Sequence, residues 1–337
     1  MRYLLKTKLI VSLTFICLLC LLQPAHSTAQ IHSSNPEKVK PHLSDSAVRT
    51  LIDDTFTVMQ QHYIAPKVVA STKQFVVSKF DQGQYASISS LEDFAEIIGK
   101  DIRNITGDVH LSLFTINPNE KVTHILKHET GKLTYNFAFE QVSYLDGNIG
   151  YLKFNKFHSN EKAKATADAA FNFLKQSDGM IIDLRDTIGG SPDLVQYLLS
   201  YFLPKNTPLW EVLGREHQLL YSVLSNYNPK HQRFQQDYPI WILTSRDSAS
   251  ATEVFTGVMQ ANNKAKIVGE TTAGAGYYVG VESITSKLIF RISLSKPVIS
   301  INKQNWEKIG IKPDVNISSM DALNYARRIA YESVTNR

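Results

Sequence analysis

The feature that most constrains the fold is a repeated alternation of strand-like and helix-like segments after residue 148. Apolar runs of strand length are followed by stretches in which apolar residues recur at helical spacing. The strand-like runs lie at residues 149–154, 179–185, 238–244 and 266–270, and the helical stretches at residues 161–176, 194–202 and 250–259. This alternation predicts a layered α/β domain, and a segment of about 230 residues is long enough to bury its own core.

The preceding part of the chain predicts a small helical unit. One apolar stripe at helical spacing runs over residues 48–59, and a second helical stretch covers residues 76–80. A third helix is expected to begin at Ser89, with Glu92 completing a capping box. We therefore expect two domains, a helical N-terminal one and an α/β one, over residues 43–106 and 107–332.

Residues 1–29 are typical of a cleaved export signal. Three basic residues precede an apolar run over residues 9–22, and small residues suited to a signal-peptidase cut follow. The run is short for a membrane span, and an uncleaved anchor is the alternative to a cleaved signal. Residues 30–42 are polar and carry two prolines, which predicts a flexible leader. We expect an exported protein, periplasmic or extracellular, without a stable membrane anchor.

Composition narrows the chemistry that is open to the mature chain. Both cysteines, Cys17 and Cys20, lie in the signal, so disulfides, a thiol nucleophile and cysteine-held zinc are excluded. The formal charge of +5 falls to +2 without the signal, and a nucleic-acid partner is not expected. His124 and His128 have no carboxylates at metal-binding spacing, so neither a metal nor another cofactor is expected. These features do not predict an oligomeric state.

The segment Asp-Ser-Ala-Ser-Ala-Thr-Glu, at residues 247–253, places serines at a turn between a predicted strand and a predicted helix. Free N–H groups at the start of a helix favour a developing oxyanion, so a serine at this position is well placed to act as a nucleophile. Helices also commonly take serine as the N-cap residue. Ser248 and Ser250 can therefore be read either as a cap or as a nucleophile.

Other segments carry residue types that are used in catalysis. His110 lies where the helical unit meets the α/β domain, and Gly189 and Gly190 precede a helix, where N–H groups can meet an anion. Glu307 lies near the C-terminal end. Taken one at a time, a lone histidine such as His110 is more often structural, and the paired glycines can equally form a plain tight turn. A lone glutamate such as Glu307 is normally a solvated charge. The loop at residues 271–276 lacks the spacing and the lysine of a phosphate-binding loop, so nucleotide binding is not predicted.

Taken in their order along the chain, these segments resemble the C-terminal processing, or tail-specific, serine peptidases, in the branch of the interphotoreceptor retinoid-binding protein and the tricorn core protease. The similar motifs, in chain order, are Asp-x-His (108–110), Gly-Asn-Ile-Gly-Tyr-Leu (147–152), Asp-Leu-Arg with a glycine loop (183–190), Ser-Ala-x-Glu (250–253), Val-Gly-Glu-Thr-Thr (268–272) and a C-terminal Glu segment (307–314). The resemblance covers residues 51–330 and implies a helical unit followed by a crotonase-like α/β peptidase domain.

The resemblance also implies the residues of a catalytic site. Ser250 matches the nucleophile, His110 the general base, and Glu307 the carboxylate that orients the base in the tricorn-like branch. The backbone amides that match an oxyanion hole are those of Gly189 or Gly190 and of Ala251. These roles are chemically consistent, because a free serine is a weak nucleophile near neutral pH and needs a histidine to take its proton.

The sequence departs from the family pattern in several places. Ala275 lies where the Ser/Lys branch has its lysine, and Val109 replaces a serine that precedes the histidine. The glycine loop reads Asp-Thr-Ile-Gly-Gly at residues 186–190 instead of Gly-Asn-Gly-Gly-Gly, and no segment is long enough for a PDZ domain. Two hypotheses follow. One is an exported serine endopeptidase that acts on peptides or proteins, and the other is a non-catalytic binding module of the same fold that carries an apolar small molecule or a peptide.

Overall fold

The computed structural model describes residues 42–117, 135–226 and 232–336. The helices in this part of the chain are α1 Asp45–His62, α2 Val69–Asp81, α3 Leu91–Thr106, α4 Lys162–Leu174, α5 Pro192–Leu199, α6 Ala251–Ala261 and α7 Ser319–Thr335. The strands are β1 Ser112–Thr115, β2 Phe139–Leu145, β3 Ile149–Phe154, β4 Gly179–Asp183, β5 Pro208–Leu213, β6 Leu219–Leu224, β7 Ile240–Thr244, β8 Lys266–Gly269, β9 Tyr278–Ser283, β10 Leu288–Ile299 and β11 Val315–Asn316.

The larger sheet runs in the order β11-β8-β7-β4-β3-β2. Its strands are parallel from β11 to β3, and β2 pairs antiparallel with β3 at one edge. Every residue of β4 and β7 is buried, which explains why both read as continuous apolar runs in the sequence. Because Asp183 pairs with Leu243, the carboxyl ends of these two strands lie side by side. The turns that follow them therefore meet at one edge of the sheet.

Helices cover both faces of this sheet. On one face, α4, α5 and α6 contribute to a core that includes Ile182 and Ile242. On the other face, Ala322, Ala326 and Ala330 of α7 pack in a second core with Ile181 and other strand residues. The alanines are four residues apart, so they form one narrow stripe that lets the helix approach the sheet closely. This C-terminal helix is not among the elements predicted from the sequence.

The smaller sheet joins the N-terminal helices to a strand far along the chain. It runs in the order β1-β10-β5-β6, and β9 also pairs with β10. Phe56 of α1 and Phe94 of α3 share a core with Phe290 and Ile292 of β10. The apolar stripes of α1 and α3 are therefore buried in part by β10. The division of the chain at residue 106 stays a prediction.

The sequence predicted the α/β class correctly and misplaced some boundaries. The predicted capping box at Ser89 and Glu92 is wrong by one residue, because α3 begins at Leu91 and Ser90 is its N-cap. The Ser90 Oγ accepts from the Asp93 N–H at 3.1 Å, and Asp93 Oδ2 accepts from the Ser90 N–H at 3.0 Å. The β-like run expected from residue 109 begins as a strand only at Ser112.

Several predictions fall outside the described residues. They concern the export signal over residues 1–29, all but the last residue of the leader over residues 30–42, and the pair His124 and His128. None of the helices described here is both long and apolar enough to cross a membrane.

Replacing Phe290 by alanine tests the core that the N-terminal helices share with β10. The side chain is fully buried, so we expect Phe290→Ala to lower the free energy of unfolding by about 3–5 kcal/mol. Urea denaturation followed by circular dichroism measures this loss. The matched control is Phe75→Ala, whose side chain is 48% exposed, with an expected loss below about 1 kcal/mol. Equal losses in the two variants would contradict a shared core.

Candidate active site

Ser250 lies at the first turn of α6, just beyond the carboxyl end of β7. Its backbone has φ 55° and ψ −118°, a conformation that costs a non-glycine residue about 1–3 kcal/mol. Ser248 differs, because its buried Oγ donates to the Leu184 carbonyl at 2.9 Å and accepts from the Ser245 N–H at 3.0 Å. The strained residue is therefore Ser250, and the Ser248 hydroxyl is used to hold the turn.

Glu253 holds the strained backbone in place. Its carboxylate is fully buried and accepts four hydrogen bonds, from the N–H of Ser250 (2.8 Å), the Oγ1 of Thr272 (2.5 Å), and the N–H groups of Gly274 (2.7 Å) and Ala275 (2.8 Å). The Glu253 N–H in turn donates to the Ser250 carbonyl at 2.8 Å. These bonds engage the Ser250 backbone on both sides.

The glycine loop lies directly against Ser250. A Cβ built on Gly189 would lie 2.8 Å from the Ser250 Cβ and 3.2 Å from the backbone nitrogen of Ala251. Gly189 also has φ 102°, in the region that favours glycine. The close contact and the positive φ both require glycine at this position. The absence of a side chain lets the loop backbone approach Ser250.

Gly190 is held by backbone hydrogen bonds on either side of it. The Phe157 N–H donates to the Gly189 carbonyl at 2.8 Å, and the Ser191 N–H donates to the Phe157 carbonyl at 2.7 Å. These two bonds form an isolated parallel bridge between Phe157 and Gly190 and do not use the Gly190 N–H. Within residues 42–117, 135–226 and 232–336, the N–H groups of Gly189, Gly190 and Ala251 all lack a hydrogen-bond acceptor. The glycine loop and the start of α6 therefore bring backbone N–H groups without an acceptor close to Ser250.

The altered part of the glycine loop is firmly attached to the rest of the fold. Thr187 Oγ1 donates to the Phe154 carbonyl at 2.6 Å, and the Thr187 carbonyl accepts from the Ala249 N–H at 3.2 Å and from Thr252 Oγ1 at 2.9 Å. Thr187, one of the residues that depart from the family pattern, therefore ties the loop to the serine turn.

Glu307 is connected to the same region through the loop after β8. Its Oε2 accepts from the Gly276 N–H at 2.7 Å, and the adjacent Lys308 N–H donates to the Gly274 carbonyl at 2.8 Å. Because Gly274 also binds Glu253, one short loop joins the serine turn to Glu307. The other carboxylate oxygen, Oε1, is buried and has no hydrogen-bond partner among the described residues.

His110 lies in the turn between α3 and β1, beside the buried carboxylate of Asp108. Its N–H donates to Asp108 Oδ1 at 2.9 Å, and its ring Nδ1 lies 3.5 Å from the same oxygen. The latter distance is that of an ion pair and not of a well-aligned hydrogen bond. The ring is almost fully buried, and Nδ1 has no hydrogen-bond acceptor in the described part of the chain.

The two carboxyl groups near His110 differ in their acidity. Burial by itself raises the pKa of Asp108. Hydrogen bonds from His110 and Ser293, together with the charge of His110, have a larger and opposite effect, so the pKa lies below its usual range. Burial, together with the negative charge of Asp108, raises the pKa of Glu307 to about 8. At neutral pH Asp108 is therefore an anion, and Glu307 is mostly protonated.

The structure thus links the Ser250 turn to Glu307 through hydrogen bonds and places His110 beside Asp108. Hydrogen bonds run from Ser250 through Glu253 and residues 274–276 to Glu307, and Glu307 interacts electrostatically with Asp108, the neighbour of His110. Among the described residues, no cluster of His, Cys, Asp and Glu side chains could hold a metal ion.

Asp108 and Glu253 lie within the sequence motifs, but the resemblance predicts no role in the site for either residue. The signals that point to them are short spacings, two residues before the histidine and three after the serine. Such spacings allow a carboxylate to return to a nearby backbone N–H, as both do.

Comparison with known families covers most of the described chain. Residues 148–317 match peptidase family S41, and residues 43–140 match the N-terminal domain of peptidase S41 in eukaryotic IRBP. The first match alone includes half of the chain and contains Ser250, Glu307 and the glycine loop. His110 lies within the second match.

Curated relatives carry names of the same kind. A Staphylococcus epidermidis protein, whose name describes a CtpA-like serine protease, is 31% identical over 174 residues, which are 51% of this chain and 34% of the relative. The carboxy-terminal processing protease CtpB of Bacillus subtilis is 26% identical over 178 residues, covering 52% of this chain and 35% of that protein. This chain thus spans about a third of the length of these relatives.

A solved structure shares the fold. The photosystem II D1 C-terminal processing protease superposes with a TM-score of 0.56 at 12% sequence identity. The match covers 84% of this chain and 97% of the other. The overall fold is therefore common to both proteins.

Glu307→Gln tests the raised pKa of the buried carboxyl. Between the ordinary pKa near 4.5 and the folded pKa of about 8, the folded wild type keeps a proton that the unfolded chain has lost. The stability due to this proton is complete below pH 4.5 and is lost as the pH rises to about 8. Glutamine cannot ionise and avoids the loss. We expect the variant to gain about 1–2 kcal/mol relative to wild type between pH 4.5 and pH 8, allowing for solvent screening. Urea denaturation at a series of pH values measures the gain, and a pH-independent difference would contradict it.

Gly190→Ala tests the close approach of the glycine loop to Phe157. A Cβ at this position would lie 2.1 Å from the Phe157 carbonyl oxygen, and φ is 135°. We expect a loss of more than about 2 kcal/mol in the free energy of unfolding, because backbone atoms would have to move. Gly83→Ala is the matched control, since Gly83 also has positive φ but faces open space, and its expected cost is about 1 kcal/mol. Equal costs in thermal or urea denaturation would show that Phe157 does not restrict the loop.

Proposed function

Because the chain belongs to peptidase family S41, we propose that it hydrolyses peptide bonds with Ser250 as the nucleophile and His110 as the general base. The observation that carries this proposal is the strained Ser250 backbone, with the free N–H groups of Gly190 and Ala251 beside it. A structural N-cap does not require a strained backbone, and an oxyanion site requires unpaired donors.

The proposed reaction is acyl transfer in two stages. Nε2 of His110 takes the proton of the Ser250 hydroxyl while Oγ attacks the substrate carbonyl carbon, and the carbonyl oxygen becomes an oxyanion. The N–H groups of Gly190 and Ala251 stabilise that oxyanion, and donors of this kind typically contribute about 10²–10³ in rate. The imidazolium then gives its proton to the leaving amine. Water, activated by the same imidazole, hydrolyses the acyl-enzyme and regenerates Ser250.

Glu307 is proposed as a member of the same site. The resemblance gives it the role of orienting the base, and its buried Oε1 has no hydrogen-bond partner among the described residues. Its attachment to Gly276 ties it to the loop that also binds Glu253, so a movement of the loop would alter Glu307 and Ser250 together.

The substrates and the location of the protein are also part of the proposal. Relatives are named as carboxyl-terminal processing proteases, and this supports a peptide or protein substrate. The basic and apolar composition of residues 1–29 supports export through a cleaved signal, to a periplasm or to the outside of a cell.

Replacing Ser250 by alanine tests the nucleophile. We expect a fluorophosphonate probe to label residues 30–337 of the wild type, and labelling and peptide hydrolysis to fall by about 10⁵-fold or more in Ser250→Ala, because no other hydroxyl is activated. Mass spectrometry locates the adduct. Ser248→Ala is the matched control. In the wild type the Ser248 hydroxyl donates to the Leu184 carbonyl, so its loss should leave labelling of Ser250 in place.

Two results would count against the proposed function. An adduct on Ser248, or on any residue other than Ser250, would make the nucleophile assignment wrong. If a well-folded wild type gave neither labelling nor hydrolysis, the non-catalytic binding module would be favoured, and saturable binding of an apolar fluorescent ligand would be the next measurement.

A further inference from the structure

Asp108 receives hydrogen bonds from three different parts of the chain. Its Oδ2 accepts a hydrogen bond of 3.1 Å from the hydroxyl of Tyr63, the residue that follows α1. The same oxygen accepts a bond of 2.7 Å from Ser293 Oγ of β10. Its Oδ1 accepts from the His110 N–H at 2.9 Å. The residue is fully buried, so this carboxylate is fixed by donors that cannot be replaced by water.

The oxygen that binds the His110 backbone is also the one that faces the imidazole. Asp108 Oδ1 lies 3.5 Å from Nδ1, which has no other acceptor among the described residues. A buried imidazole nitrogen near an anion is most stable when it carries the proton, because a bare lone pair would face a negative charge. Nδ1 protonation leaves Nε2 without a proton, and Nε2 is then the nitrogen that can act as the base.

Glu307 is less suited to hold a positively charged imidazole. Its Oε2 is occupied by the Gly276 N–H, and its pKa of about 8 makes it mostly uncharged at neutral pH. The negative charge of Asp108 is one cause of that raised pKa. Two neighbouring buried carboxyls do not readily ionise together, and the one with more hydrogen-bond donors keeps the charge.

We propose that Asp108 is the positioning residue of His110, the anion that keeps the proton on Nδ1 and so presents Nε2 to Ser250. The catalytic role of Asp108 rests on the proposed function. The tautomer of His110 depends only on the contact between its imidazole and the Asp108 carboxylate. It gives the N-terminal helical region a part in catalysis, because Tyr63 helps to hold Asp108. The role corresponds to that of the aspartate in a Ser-His-Asp triad, in which an amide substitution selects the wrong tautomer.

The groups that surround this pair come from every neighbouring element. Tyr63 follows α1, Ser293 belongs to β10, Tyr277 precedes β9, and Glu307 and Lys308 lie in the loop before β11. Burial and the nearby carboxyl groups raise the pKa of Tyr63 and of Tyr277, so both remain neutral hydroxyls. Asp108 is therefore the anion nearest to His110 within the described residues.

The first experiment reads the tautomer directly in the wild-type protein. In the ¹⁵N spectrum of the mature chain labelled at histidine, with His110 assigned by His110→Gln, neutral His110 should carry its proton on Nδ1. A proton on Nε2 would overturn the proposal. This measurement requires neither activity nor a folded variant of Asp108, so it remains decisive if Asp108→Asn does not fold.

The second experiment compares variants in the same spectrum and in peptide hydrolysis. Asp108→Asn should shift His110 toward the Nε2 tautomer and lower kcat by about 10²–10⁴-fold with little change in KM. Tyr63→Phe is the matched control, because it removes a donor to Asp108 and leaves the carboxylate in place; it should keep the tautomer and lose less than tenfold. Glu307→Gln should also keep the Nδ1 tautomer.

The outcomes separate the two proposals. A folded Asp108→Asn protein with the wild-type tautomer and wild-type kcat would overturn the role of Asp108. A shift to the Nε2 tautomer in Glu307→Gln, but not in Asp108→Asn, would assign the positioning role to Glu307. If the wild type neither hydrolyses peptides nor reacts with the fluorophosphonate, the proposed function fails, and the tautomer still tests the contact between Asp108 and His110.

Discussion

The buried carboxylate of Glu253 is the interaction on which the rest of the site depends. Placing a carboxyl group in the interior is costly, and burial raises the pKa of Glu253. The cost is offset because four donors converge on its two oxygens. Three of those donors belong to the loop after β8, and the fourth is the Ser250 N–H. One side chain thus joins two carboxyl-terminal turns of the larger sheet and fixes a backbone that would otherwise relax.

From that junction the site extends outward through backbone contacts. The loop held by Glu253 also supplies the Gly276 N–H to Glu307, and Phe157 and Thr187 hold the glycine loop against Ser250. The departure of this loop from the usual glycine-rich pattern does not loosen it, because Thr187 adds a side-chain bond to the Phe154 carbonyl. The site is therefore preorganised by short loops that rest on buried strands, an arrangement that favours stabilisation of a developing charge.

The site contains three buried or partly buried carboxyl groups, and their surroundings assign them different states. Asp108 keeps its charge because donors from three segments reach it, whereas Glu307 receives one backbone donor and faces the charge of Asp108. A difference of this kind lets one group hold an imidazolium while the other stays neutral nearby. The N-terminal helices contribute through Tyr63, so they support the chemistry as well as the core they share with β10.

The sequence was enough to recognise the order of elements and the family, and to single out Ser250, His110 and Glu307. Periodicity and short motifs depend only on neighbouring residues, so they can be recognised in the sequence. The apolar runs of β4 and β7, for example, correspond to strands that are buried along their whole length. The shift of the capping box from Ser89 to Ser90 shows the limit of such local signals, because either serine has an acid three residues later. The C-terminal helix α7, which buries Ala322, Ala326 and Ala330, is not among the elements predicted from the sequence.

What the sequence by itself determined is the local structure and the set of chemically capable residues. Tertiary structure alone decided which carboxylate faces the imidazole and which carboxyl group is charged. Ser293 reaches Asp108 across 185 residues of sequence, and Glu307 meets Gly276 across 31. The charge of a buried group depends on its desolvation and on hydrogen-bond donors from distant segments. A pattern of adjacent residues contains neither of these effects.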